Sequence, residues 1–210
     1  MFKAEIRTLQ IPDAKVIKFA RFRDLRGYFT ENYRKSDLVN LGLDEFKSLD
    51  IVQMNESFSF KGTVRGLHFQ WNPVMNKLIR PAYGSFLAVG VDIRKGSPTQ
   101  GRAFAVKMSS SITDDTAELL YVPEGFAAGF LTLEDTLVQY LITGMYNGEC
   151  EASISPIAKD IDWNLVEDGL RKEFLEAAKT TELISEKDKD AMSLEQWFED
   201  ERSDNFIYNG

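Results

Sequence analysis

Phe86-Leu87-Ala88-Val89-Gly90-Val91-Asp92-Ile93 is an apolar run closed at both ends by turn-forming residues. Tyr83-Gly84-Ser85 precedes it and Lys95-Gly96-Ser97-Pro98 follows it. A short apolar segment with that punctuation reads as a β-strand. Residues 103–108, 119–122 and 137–142 have the same character. Such runs, recurring at intervals of roughly ten residues with Gly, Pro, Asn and Asp between them, predict a β-sandwich or barrel. The expected fold class is therefore mainly β across residues 1–163.

Beyond residue 163 the period changes. Leu165, Val166, Leu170, Phe174, Leu175 and Ala178 recur at helical spacing amid charge. A second helix is expected over residues 191–201, with Leu194, Trp197 and Phe198 on one face. The chain thus reads as a β domain, 1–163, with a helical C-terminal extension, 164–210, packed on it. Residues 203–210 are expected to fray. The sequence holds neither an internal repeat nor a low-complexity tract.

Composition bounds the function. The 210 residues are 43% hydrophobic and 12% aromatic, which suits a globular core in one domain. A formal net charge of −8 argues against general affinity for nucleic acid or an anionic membrane surface. The one cysteine, Cys150, makes an intramolecular disulfide impossible and is compatible with a reducing, cytoplasmic setting. Met1-Phe2-Lys3-Ala4-Glu5-Ile6 lacks the apolar run of a signal peptide, and nothing approaches the roughly 20 apolar residues of a membrane span. One histidine, His68, and one cysteine far from it cannot build a His-rich metal site. The expected chemistry uses no metal and no cofactor, only protons and organic groups.

Several polar clusters stand out. Arg65-Gly66-Leu67-His68-Phe69-Gln70 sets the side chain that titrates nearest neutrality close to an arginine able to hold an anion. Gln53, Asn55 and Ser57 alternate, so they share one strand face, either a solvated surface or a polar pocket wall. Phe22 to Glu31 mixes charge with aromatics around Gly27, as a turn between two edge strands would. In Pro123-Glu124-Gly125-Phe126-Ala127-Ala128-Gly129-Phe130 the glycines suit close packing better than ligand approach. Tyr140 and Tyr146 are ordinary amphipathic core residues on this evidence. Taken alone, a single histidine serves structure more often than catalysis.

Together the motifs carry a resemblance. They are Phe22-x-Asp24-x-Arg26-Gly27-x-Phe29-x-Glu31, Gln53-x-Asn55, Arg65-Gly66-Leu67-His68-Phe69-Gln70, Lys77-Leu78-Ile79-Arg80, Val91-Asp92-Ile93-Arg94-Lys95-Gly96-Ser97-Pro98-Thr99-x-Gly101, Pro123-Glu124-Gly125-Phe126-Ala127 and Ile161-Asp162-Trp163. In that order the chain resembles the dTDP-4-dehydrorhamnose 3,5-epimerase family. Leu183-Ile184-Ser185-Glu186-Lys187-Asp188 is similar to the family's C-terminal motif. The resemblance implies a cupin-type jelly roll (double-stranded β-helix) and a homodimer in which an N-terminal strand crosses to the neighbour.

It also implies a substrate, a nucleotide-linked 4-keto-6-deoxyhexose, with dTDP as the expected nucleotide. The ketone acidifies the hydrogens on C3 and C5, and an epimerase removes one and returns a proton to the opposite face. By resemblance His68 is the base and Asp188 the carboxylate that orients it. Tyr140 is the acid on the far face, and Lys77 the cation at the enolate oxygen. Arg26 and Arg65 would hold the pyrophosphate. Phe29, Glu31, Gln53 and Asn55 match positions that hold base and sugar, with Arg26, Phe29 and Glu31 coming from the partner subunit.

Three departures stand out. Ala128 occupies a position where the family has a histidine. The spacing from Phe130 to Tyr140 is one residue short, which keeps Tyr146 as a second candidate. Residues 164–181 form a longer and more helical segment than the family's. Two alternatives stay open beside epimerisation: a sugar-nucleotide keto-isomerase, and a non-catalytic nucleotide-sugar binding homologue.

Overall fold

A computed structural model of the chain describes residues 4–208. The chain begins with β1 (Ala4–Thr8) and β2 (Lys15–Ala20), then a small hairpin of β3 (Phe22–Asp24) and β4 (Gly27–Phe29). A helix, α1 (Lys35–Asn40), leads to β5 (Gln53–Ser59) and β6 (Val64–Gln70). The body continues through β7 (Lys77–Asp92), β8 (Ala103–Ser110), β9 (Thr116–Val122), β10 (Phe126–Thr132), β11 (Thr136–Ile142) and β12 (Glu151–Ser153). Three helices close the chain: α2 (Asp168–Thr180), α3 (Glu186–Lys189) and α4 (Leu194–Glu199). The architecture is a mainly β, cupin-type jelly roll of antiparallel strands.

The long strand β7 organises the molecule. Its first half pairs with β9 and β11, and its second half pairs with β8 and β10. Two sheets therefore share one strand. One runs β1-β2-β9-β7-β11-β5 and the other β8-β7-β10-β6-β12. Tyr83-Gly84-Ser85 is thus a corner within a strand rather than the turn expected before one. Gly84 has φ +87°, and a Cβ there would meet the Asp135 carbonyl at 2.6 Å. Glycine lets the strand bend from one sheet into the other without leaving the ladder.

The apolar run of β7 is buried on both faces, which explains why it does not alternate. Leu87, Val89 and Val91 face outward and pack with Phe174, Trp197 and Phe206 of the C-terminal segment. Phe86 and Ala88 face inward, against Phe104, Phe126, Phe130 and Val138 between the sheets. A third cluster, Ile17, Phe19 and Tyr121 with Leu38 and Phe46, is capped by the segment around α1.

The helices begin later than their apolar period. Val166 is buried, but its N–H donates to the Trp163 carbonyl in a turn, and α2 starts at Asp168. Ser193 and Gln196 form a reciprocal capping box, which sets the start of α4 at Leu194. The expected fraying of residues 203–210 fails for its described part. Residues Glu201–Asn205 form a 3-10 turn, and Phe206 is buried beside Phe69 and Trp197. The Phe206 carbonyl also accepts the Lys95 N–H at 2.8 Å. Residues 209 and 210 lie outside the described residues. No helix among those described is long and apolar enough to cross a membrane.

Candidate active site

A cavity of about 590 Å³ opens between the two sheets. On β6, Leu67 and Phe69 point outward into the core under the helices. Alternation therefore turns His68 and Gln70 inward, and both line the cavity. Close approach of neighbouring backbone helps hold β6 there. A Cβ on Gly129 of β10 would meet the Arg65 carbonyl at 2.1 Å, so packing requires the glycine.

Behind the imidazole, Asp188 Oδ1 lies 2.7 Å from His68 Nε2. The second carboxylate oxygen, Oδ2, accepts the Gly66 N–H at 3.3 Å. Asp188 belongs to α3, whose N-cap Ser185 accepts the Asp188 N–H on its hydroxyl at 3.1 Å. Burial pushes the Asp188 carboxyl up, but hydrogen bonds from His68, Gly66 and Ser185 outweigh it and hold the carboxyl below its ordinary value. An ionised Asp188 only accepts, so it accepts the hydrogen bond of Nε2–H and leaves Nδ1 as the free nitrogen.

The opposite wall comes from the other sheet. Tyr140 on β11 pairs with Asn55 on β5 and Ile79 on β7, and all three line the cavity. Burial, reinforced by the negative charge of Glu151, pushes the Tyr140 phenol above its ordinary value. It therefore stays protonated at neutral pH. Gln53 and Ser57 join Asn55 on that wall, so the alternating amides of β5 form a pocket wall and not a solvated face.

Lys77 opens β7, and its Nζ donates to the His68 carbonyl at 2.9 Å. Burial lowers its pKa to about 8, against the opposing attraction of Glu151. Arg65, also on the lining, donates its Nε to the Ser59 hydroxyl at 2.9 Å and makes no ion pair among the described residues. A weak base, a neutral acid and two cations thus converge on one cavity. This set can move protons on a substrate that bears an anionic handle.

The family model for dTDP-4-dehydrorhamnose 3,5-epimerase matches residues 8–196. A relative from Sinorhizobium fredii, named dTDP-4-dehydrorhamnose 3,5-epimerase, is 36% identical over 197 residues, covering 90% of this chain and 88% of its own. Among solved structures, the Legionella pneumophila dTDP-6-deoxy-D-glucose-3,5-epimerase in complex with dTDP-4-keto-L-rhamnose superposes with a TM-score of 0.78. It is 30% identical and covers 99% of this chain and 100% of its own. The Mycobacterium tuberculosis epimerase gives a TM-score of 0.76 at 33% identity, covering 98% and 94%.

The chain belongs to the dTDP-4-dehydrorhamnose 3,5-epimerase family. It is an enzyme of the isomerase class, a carbohydrate epimerase.

For this epimerase, His68, Lys77, Tyr140, Gln53, Asn55, Arg65 and Tyr146 all border the cavity, with Asp188 directly behind His68. Tyr146 is the outer tyrosine, 57% exposed, with its hydroxyl 3.3 Å from Glu151 Oε2. Tyr140 is the inner one. Three expected residues lie elsewhere. Arg26 sits at the tip of the β3–β4 hairpin, 2.6 Å from Asp24 and 89% exposed. Phe29 is 64% exposed on the same hairpin, and Glu31 pairs with Arg34. None of the three reaches the cavity of its own chain.

One residue of the site carries no sequence signal, and another is known from sequence only as a departure from the family. Glu151 lines the cavity opposite Gln70 and accepts from Lys187 Nζ at 2.9 Å. Only the register of the three-residue strand β12 against β6 reveals it. Ala128, 8% exposed, is the register partner of His68 on β10, so a bare methyl faces the cavity beside the imidazole. Among the described residues, no three of His, Cys, Asp and Glu converge as metal ligands.

Proposed function

We infer that the chain epimerises a dTDP-linked 4-keto-6-deoxyhexose at C3, C5 or both, by proton transfer through an enolate. The observation that carries this reading is the opposition of His68 and Tyr140. One projects from each sheet into the same cavity, which Lys77 also lines. Epimerisation needs a proton removed on one face of the sugar and one delivered on the other.

In the proposed step, His68 Nδ1 takes the proton from the carbon next to the ketone. The electron pair moves into the C–C bond, and the carbonyl oxygen gains charge. The Lys77 ammonium lies in a desolvated site, where a cation stabilises that oxygen most. Tyr140 then delivers its phenolic proton to the opposite face of the carbon, and solvent restores both groups. Asp188 keeps Nε2 protonated and the ring directed.

Arg65, free of carboxylates, suits the pyrophosphate, and Gln53 and Asn55 suit the polar edge of sugar or base. The hairpin supports the homodimer part of this reading. Phe22, Leu25 and Phe29 are exposed at 46%, 107% and 64%, as surface awaiting a second copy would be. Arg26, Phe29 and Glu31 on that hairpin would complete the neighbour's pocket.

The deciding experiment incubates dTDP-4-keto-6-deoxy sugars with the protein in heavy water and follows deuterium entry at each carbon by NMR. Uptake with inversion at C3 or C5 is expected. Movement of the ketone to C3 would indicate a keto-isomerase. Binding without any exchange would indicate a non-catalytic homologue.

A further inference from the structure

One buried polar group beside the base has no partner among the described residues. Ser153 is 5% exposed, and its Oγ makes no hydrogen bond to any of them. It is the register partner of His68 across β6 and β12. The next pair along, Leu67 and Ile154, exchange both backbone hydrogen bonds, at 2.9 and 3.1 Å. His68 and Ser153 therefore form the narrow, non-hydrogen-bonded kind of pair, with side chains on one face and Cβ atoms about 4.5–5.5 Å apart. Outward-facing Ala152 and Ile154 lie in the core under the helices, which fixes Ser153 on the His68 side.

The chain that carries Asp188 crosses the same spot. Ser155, on the same face as Ser153, donates its hydroxyl to the Lys189 carbonyl at 3.0 Å, next to Asp188. Ser153 thus stands on the face of the sheet that carries His68, two residues from the serine that the Asp188 segment contacts. Asp188 has acceptor capacity left after the His68 and Gly66 bonds. An unbonded buried hydroxyl is costly, and no group among the described residues uses this one.

We propose that Ser153 is a positioning residue for the base: its hydroxyl turns to donate to the Asp188 carboxylate as His68 takes up its proton. The role rests on the reading of His68 as the proton-abstracting base. The donated bond holds the carboxylate in line with Nε2. It also draws charge from Asp188, so His68 binds its proton less tightly and can hand it on, as a reversible epimerase requires. The charged and titratable groups that share the cavities with His68 are Asp188 and Lys187 from α3, Glu56 from β5, Arg65 from β6, Lys77 from β7, Tyr140 from β11, Tyr146 after it and Glu151 from β12. Replacing Ser153 leaves all of them in place.

The test is Ser153→Ala. His68 is the one histidine of the chain, so its ring-proton resonance reports its titration without ambiguity and without substrate. The expected result is a titration midpoint raised by about half a unit and a kcat lowered on the order of tenfold with KM unchanged. Thermal stability should hold or rise, because the variant removes an unsatisfied polar atom. Ser153→Thr keeps the hydroxyl and should titrate as the parent does. A midpoint that stays put or falls in Ser153→Ala overturns the role, as does a drop in stability with kcat unchanged. Because the titration needs no turnover, it still reads Ser153 if no 4-keto sugar proves to be a substrate.

Discussion

Asp188 Oδ1 rests 2.7 Å from His68 Nε2, although 120 residues separate the two in sequence. Contact between them depends on α3, a single turn whose N-cap Ser185 presents Asp188 to the back of β6. The carboxylate selects the tautomer, and the tautomer decides which nitrogen faces the cavity. His68→Asn should therefore cut deuterium entry at both carbons by about a hundredfold or more while leaving nucleotide affinity nearly intact. Asp188→Asn should be severe but milder, because the ring remains and loses only its orientation and basicity. Exchange at the parental rate in His68→Asn would end the proposal.

Lys77 sets a limit in alkaline solution. Its folded pKa of about 8 lies below the ordinary 10.5, because burial disfavours the ammonium. The cation proposed for the enolate oxygen is thus present below about pH 8 and lost above it. Activity should decline as pH rises through about 8, and Lys77→Arg, whose charge does not titrate there, should remove that decline. The sign for stability is the reverse. The unfolded chain holds the Lys77 proton between about 8 and 10.5 while the folded one does not, so this group favours folding increasingly across that window. A pH–rate profile of Lys77→Arg that keeps the parental alkaline limb would count against the assignment.

The hairpin makes an assembly prediction. Light scattering at micromolar concentration should show a dimer. If Arg26 serves the neighbouring cavity, mixing Arg26→Ala chains with His68→Asn chains should restore activity, since one site in each mixed dimer receives both intact residues. No recovery on mixing, with dimers formed, would place Arg26 outside the neighbour's site.

Much of this was legible in sequence, for identifiable reasons. Short apolar runs between Gly and Pro marked β8, β9 and β11, because strands buried on a pleated surface need those residues. Gln53, Asn55 and Ser57 showed their shared face by period alone, and their pocket only by the fold. β7 was misread at Gly84, because a glycine that bends a strand between sheets looks the same as one that ends it. Glu151 and Ser153 stayed hidden, since strand register is a property of pairing and not of composition. The meeting of His68 with Asp188 was legible only through family resemblance.

Activity should survive exhaustive chelation. In the proposed mechanism His68, Asp188, Tyr140 and Lys77 serve as base, orienter, acid and cation, all from side chains at the cavity. Loss of activity with a chelator, and its return on adding a divalent ion, would show that the oxyanion is held by something other than Lys77.

Ala128 carries the sharpest test. It lies across from His68 in register and presents a methyl to the cavity. On the proposed mechanism Ala128 gives the enolate no donor, so Lys77 would stabilise the oxygen without it. Both proton removals should then slow, and the slower one should become limiting. The expected enzyme is sluggish, or inverts one carbon, with C3 favoured. Ala128→His would add a donor next to the base. One well-placed hydrogen bond to an oxyanion contributes up to about 2.7–4 kcal/mol in a tight site, a ceiling of about a hundred- to a thousandfold, and a gain of at least about tenfold is expected. The measurement is the rate of deuterium entry at C3 and at C5 in the parent and in Ala128→His. Rapid exchange at both carbons in the parent, unchanged by the histidine, would make the alanine neutral and remove the reason for single-carbon selectivity.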